Sequence, residues 1–185
     1  MIITFIRHAE VEVKYVGKYN GHIDIALSPH GKEQAQNLAK EFKNERFDKI
    51  YCSDLKRARE TLDAFNYSQE IIYTEKLREK SWGIHEGKSF EEIEKSGIKY
   101  IDFEQWMDAL DGESPKLFTQ KLKKYFYDEI LSQECENILV VTHGGVIRTL
   151  MSIINKTTLE ETFETKLPYA SSIKFYRENM MFFSY

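Results

Sequence analysis

Proline and cysteine are scarce here, and a long hydrophobic run is missing altogether. The 185 residues include three prolines and two cysteines. No stretch rich in Pro, Gly or Ser divides the chain, and no internal repeat or low-complexity segment is present. The expectation is a single domain over residues 1–185, a length within the usual range for one core. Cys52 and Cys135 lie far apart with no metal-ligand spacing, so they read as free thiols of a reducing compartment. The opening apolar run, Ile2 to Ile6, is ended by Arg7 and is too short for a signal-peptide core or a membrane span. The chain is therefore expected to be soluble and cytoplasmic, with no membrane partner. An excess of positive charge is also lacking: 26 Lys and Arg stand against 30 Asp and Glu, a net charge of −4. That argues against a nucleic-acid partner, which needs a basic face.

What is present fits a folded protein: 42% hydrophobic, 14% aromatic and 30% charged residues. Ile2–Ile6 is short and rich in β-branched and aromatic side chains, as a buried strand requires. Residues 8–27 lack a helical period and read as a long loop. Ser28-Pro29 then marks a helix start, Ser as N-cap and Pro at the first position, with Ala35, Leu38, Ala39 and Phe42 as its buried stripe. Further strands are expected at Phe47–Cys52, Glu70–Thr74 and Ile138–Val141. Helices are expected over Leu55–Phe65 and Val146–Ile154. Residues 88–133 read as a mostly helical insertion broken near Gly97 and at Asp111-Gly112. Alternation at Ile173, Phe175, Met181 and Phe183 about Glu178-Asn179 suggests a terminal hairpin. Strands alternating with helices predict a three-layer α/β/α sandwich with a largely parallel central sheet.

Three segments place reactive side chains just after predicted strands, where ligand sites of open α/β sheets form. Arg7-His8 follows the first strand, Ser53-Asp54-Leu55-Lys56-Arg57 the second, and His143-Gly144-Gly145 the strand at 138–141. Two His and two Arg would then meet at one sheet edge. Such a cluster suits a phosphomonoester, which carries about −1.5 to −2 charges and three acceptor oxygens. Arg offers a forked, permanently charged donor set, and backbone N–H groups of a helix opened by Gly144 and Gly145 can face an anion. Taken singly the pieces are weak. An Arg-His pair is commonly a surface accident, and Asp54 before a helix reads as an N-cap.

Jointly these segments resemble the histidine phosphatase superfamily, which includes the cofactor-dependent phosphoglycerate mutases. Its opening Arg-His-Gly-Glu appears as Arg7-His8-Ala9-Glu10. The stretch Gly21, Asp24, Leu27, Ser28 and Gly31 matches its second element, and Ser53, Asp54, Leu55, Arg57, Ala58 and Thr61 its third. Leu77, Arg78, Glu79, Gly83, Glu86 and Gly87 match the fourth, and His143 to Arg148 the last.

The resemblance implies a phosphoglycerate mutase-like fold and a phosphohistidine on His8. It further implies that Arg7, Arg57 and His143 hold the phosphoryl oxygens, assisted by Asn20, Gly21 and Gly144. Glu79 would be the acid/base residue. No metal and no organic cofactor is required, and the partner is a small phosphorylated metabolite. Oligomeric state is not readable. Two departures stand out: Ala9 in place of Gly, and Lys14 where Asn is usual. Lys14 adds a cation if it points inward and removes a donor if outward. Gly145, where mutases carry Asn, favours a phosphatase over a phosphoglycerate mutase. Trp82 and Gly112-Glu113-Ser114 look most like the alpha-ribazole phosphatase branch, which acts on a precursor of cobalamin. A broad-specificity phosphatase is the alternative, and a catalytically silent phosphate-binding module the non-enzymatic one. Phe90, Tyr100, Phe103, Trp106 and Phe118 would either stack on a base or pack beneath a helical cap.

Overall fold

The computed structural model describes residues 1–178 and 181–183. Its central sheet has the strand order β3-β2-β4-β1-β5-β6 among the described residues. β1 (Ile2–Arg7), β2 (Lys49–Ser53), β3 (Ile71–Thr74) and β4 (Asn137–Thr142) run parallel. β5 (Ser172–Tyr176) and β6 (Met181–Phe183) form the antiparallel edge. The expected hairpin is therefore present, although Asn179 of its expected turn lies outside the described residues.

The two-residue period of the strands sorts their side chains onto two faces. Ile3, Phe5, Ile138 and Val140 face one side with α5 (Pro115–Tyr125) and α6 (Gly144–Asn155). Ile6, Ile50, Cys52 and Val141 face the other with α1 (Pro29–Glu41) and α2 (Lys56–Asp63). The result is the expected α/β/α sandwich. Burying each such Ile, Phe or Val contributes roughly 1.5–3 kcal/mol.

Local signals set the element ends. Ser28 caps α1 by accepting from the Gly31 N–H, with Pro29 at the first position. α6 starts at Gly144, two residues before the expected Val146, because both glycines take helical geometry directly after an extended His143. α2 is capped by Leu55 rather than by Asp54. Asp54 turns away and accepts two bonds from Arg78, at 2.7 and 2.5 Å, which hold its carboxyl below the ordinary range. Residues 88–133 contribute α3 (Phe90–Lys95, with a Ser89/Glu92 capping box), α4 (Phe103–Ala109) and α5, which continues through a π-helical turn at Phe126–Ile130. Ile93, Trp106 and Leu110 of this segment pack against Trp82 in a small apolar cluster of their own.

Register is what places the site. Arg7 pairs with Thr142, Cys52 with Val141, and Ser53 with Thr74. The chain consequently leaves β1, β2 and β4 at one sheet edge, and residues 8, 54 and 143 emerge side by side.

Candidate active site

A cavity of about 490 Å³ opens over that edge, within the size range of small-molecule sites. Its floor includes Arg7, His8, Asn20, Gly21, Arg57, Glu79, Gly144 and Gly145. His8 is 7% exposed and follows β1 directly. Its Nδ1 lies 2.8 Å from the Ala9 carbonyl oxygen, which can only accept. The proton is thereby fixed on Nδ1, and the Nε2 lone pair is left free. Ala9 is fully buried, donates its N–H to Thr61 Oγ1 and stays out of the positive-φ region, so the methyl is accommodated.

Arg57 is the most constrained cation. Its Nε–H donates to His143 Nδ1 at 3.2 Å, and its terminal nitrogens donate to the Ile23 and Gly21 carbonyls at 2.8 and 2.7 Å. Burial lowers its pKa to about 10, which still leaves it charged at neutral pH. One N–H on each terminal nitrogen is not spent on these partners and can donate to a phosphoryl oxygen. Gly21 has φ +47, and a Cβ there would lie 2.3 Å from Glu86 Oε1. The loop that cradles Arg57 therefore needs glycine at that point. Asn20 donates Nδ2–H to the Tyr15 carbonyl, and its Oδ1 is buried without a partner.

Arg7 donates to the Leu167 carbonyl and lies 4.2 Å from the centre of the Tyr169 ring. Its Nε is buried and has no hydrogen-bond partner. A Cβ on Gly144 would stand 3.4 Å from that Nε. Glu79 accepts from the Lys80 N–H at 3.0 Å on Oε1 and from the Gly145 N–H at 2.9 Å on Oε2. A Cβ at position 145 would lie 2.1 Å from Glu79 Oε1, so this approach requires glycine.

His143 is expected to hold phosphoryl oxygens. It is fully buried and is absent from the residues that line the cavity. Its ring lies 5.1 Å from that of His8, centre to centre, while its two nitrogens face Arg57 and Ser53. Lys14 points outward, 69% exposed beside Glu12, so it adds no cation to the pocket. His22 reaches the Glu79 carbonyl rather than the cavity. His85 is buried and accepts from the Asp111 N–H. Phe90, Tyr100, Phe103, Trp106 and Phe118 all line the cavity.

Other lining residues carried little or no sequence signal. Tyr169 sits 5.6 Å from His8 in a segment with no periodicity, delivered by the return of the chain into β5. Lys80 is 2% exposed, stacked 3.9 Å over Trp82 and surrounded by acidic side chains. Its position next to Glu79 was the only signal available.

Burial, reinforced by the nearby Arg57 and Arg7 charges, drives the pKa of both His8 and His143 well below the ordinary imidazole value. Both rings bind fewer protons folded than unfolded. Their stabilising contribution is present above ~6.5 and is lost as pH falls below it, at up to about 1.4 kcal/mol per pH unit for each ring. The melting temperature is expected to drop between about pH 7.5 and 5.5, and to drop less steeply in His8→Asn. Equal slopes in a thermal-melt series across that range would contradict buried neutral rings.

The model of the histidine phosphatase superfamily (branch 1) matches residues 3–182. The chain belongs to that superfamily. This histidine phosphatase is 29% identical over 163 residues to the adenosylcobalamin/alpha-ribazole phosphatase of Salmonella typhimurium, covering 82% of this chain and 78% of that one. It is 33% identical over 161 residues to the broad-specificity phosphatase YOR283W of Saccharomyces cerevisiae, covering 80% and 68%. A solved phosphoserine phosphatase mutant from Entamoeba histolytica, in complex with phosphoserine, superposes with a TM-score of 0.83 at 27% identity, over 98% of this chain and 93% of that one. These names differ in substrate, so family membership alone does not select one.

Proposed function

We propose that the protein is a phosphomonoester hydrolase working through a phosphohistidine on His8, with a small phosphorylated metabolite as substrate. One observation carries this reading: a buried imidazole with a free Nε2 lines a cavity together with two guanidiniums whose charges it feels. One of those guanidiniums, Arg7, keeps a buried N–H with no acceptor. An orphaned donor in such a place is costly unless an anion fills it.

In the first step His8 Nε2 bonds to phosphorus as the ester P–O bond breaks, and the Glu79 proton passes to the departing alcohol. Arg7 and the uncommitted N–H groups of Arg57 stabilise the charge spread over the phosphoryl oxygens. In the second step water adds to phosphorus, the N–P bond breaks, and the proton of water returns to Glu79. No step calls for a metal. Gly145, at the position where the mutases of the family carry Asn, favours hydrolysis over mutase chemistry.

For the leaving alcohol, the cavity wall above the floor is largely aromatic, with Tyr19, Trp82, Phe90, Tyr100 and Trp106. A flat, weakly polar ring system suits such a wall better than a compact zwitterion. This supports alpha-ribazole 5′-phosphate as the substrate, with residues 88–133 acting as the helical cap that selects it. The test compares kcat/KM for that ester, phosphoserine, p-nitrophenyl phosphate and 3-phosphoglycerate. A preference of about 10³ for the ribazole ester, roughly 4 kcal/mol, is the expected result. Comparable low values on all four would sink the substrate assignment and leave a broad-specificity phosphatase.

A further inference from the structure

The turn that follows Glu79, residues 81–86, is fastened on two sides. Toward the cavity floor, Glu86 Oε1 accepts from the His22 and Trp82 N–H groups at 2.9 and 3.2 Å and from the Ser81 hydroxyl at 3.2 Å. Toward the cap, the turn meets residues 110–114, which connect α4 to α5. There the Asp111 N–H donates to His85 Nδ1 at 3.0 Å, and the Ile84 N–H donates to Asp111 Oδ2 at 2.9 Å. The Glu113 N–H donates to the Ser81 carbonyl at 3.2 Å. At two points the approach leaves no room for a side chain. A Cβ on Gly83 would lie 2.1 Å from Asp111 Oδ2, and one on Gly112 would lie 2.5 Å from the Ser81 carbonyl oxygen. His85 is 4% exposed within this junction.

We infer that His85 is a positioning residue: by accepting the Asp111 N–H, it pins the α4–α5 connection to the turn after Glu79 and so sets the aromatic wall over the cavity floor. The inference rests on the phosphatase reading for its kinetic consequence, but not for its geometry. α4 brings Phe103, Trp106 and Met107 to the cavity, and α5 brings Pro115, Phe118 and Thr119. Both helices hang from the connection that His85 holds. A backbone N–H can only donate, so His85 Nδ1 must be the acceptor and the ring proton must sit on Nε2. The neutral ring this requires is favoured by the site. Burial lowers the His85 pKa, the Lys88 and Lys80 charges add to that effect, and only Asp111 opposes it. Without the acceptor the Asp111 N–H loses its partner, and the wall loses one of the bonds that fix its height above the floor. A leaving group that touches the wall then binds less well, while the phosphoryl group, held by the floor alone, does not.

The test uses the full chain and two variants at neutral pH. His85→Leu removes the acceptor, whereas His85→Asn offers Oδ1 at the same remove from Cβ as Nδ1. In His85→Leu the KM for 1-naphthyl phosphate, whose ring reaches the wall, is expected to rise about fivefold. Inhibition by inorganic phosphate should stay within about twofold of wild type, and His85→Asn should restore the KM. Hydrogen exchange at residues 110–113 should quicken in His85→Leu and return to the wild-type rate in His85→Asn. Equal losses in KM and phosphate inhibition, a His85→Asn protein no better than His85→Leu, or unchanged exchange in His85→Leu overturns the inference. If His85→Leu does not fold, long-range ¹H–¹⁵N spectra of the wild type decide: His85 protonated on Nε2 alone supports the contact, and a proton on Nδ1 overturns it. A wild type that hydrolyses no phosphomonoester would sink the functional reading instead, and the exchange rates would still test the contact.

Discussion

Replacing His8 with alanine is expected to lower phosphate release by about 10⁴-fold or more, with little change in melting temperature at neutral pH. The size follows from the role: without Nε2 no bond to phosphorus forms, and the remaining cations only bind the ester. Their binding should survive, because Arg7 and Arg57 are anchored by backbone carbonyls and not by His8. The variant should thus bind inorganic phosphate within a fewfold of wild type while turnover is lost. Steady-state kinetics beside phosphate titration by calorimetry checks both halves. Substantial turnover in His8→Ala would mean that another nucleophile, or direct attack by water, carries the reaction.

The second large effect is expected at Glu79. Its carboxylate is held by the Lys80 and Gly145 N–H groups at the cavity floor. Glu79→Gln keeps the size but cannot deliver and retrieve a proton, which points to a loss of about 10²–10⁴-fold in kcat, roughly 3–5 kcal/mol in the barrier. The loss should depend on the leaving group. A p-nitrophenolate departs without help, so its first step should suffer far less than that of an alkyl phosphate. A uniform loss across leaving groups would show that Glu79 organises the Gly145 turn and does not transfer the proton.

The parts of this account that were legible beforehand are those governed by local rules. Ile2–Ile6 had to be a buried strand, Ser28-Pro29 had to start a helix, and residues following β1, β2 and β4 had to meet once those strands proved parallel. What was not legible depends on side-chain direction or on chain return. Asp54 looked like a cap, yet the salt bridge to Arg78, distant in sequence, offers its carboxylate two charged bonds in place of one neutral one. His143 sits where the motif puts it, but only the orientation of its ring reveals that its two nitrogens face Arg57 and Ser53. Tyr169 reaches the site because the segment before β5 folds back onto Arg7 and His8. There the Ala170 N–H bonds to the His8 carbonyl at a strained φ of +52. No periodicity announces such a contact. The cap aromatics took both roles that had been set against each other: Trp106 and Phe118 are buried packing residues that also form the cavity wall.

The most direct measurement of the central claim is to trap the enzyme during turnover. Wild-type protein mixed with excess substrate, quenched in alkali where phosphohistidine survives, and digested for peptide mass spectrometry should carry one phosphoryl group, on His8. The adduct should appear before steady state and vanish when substrate is exhausted. A phosphoryl group found on another residue, or no adduct during rapid turnover with a sensitive detection limit, would contradict the account.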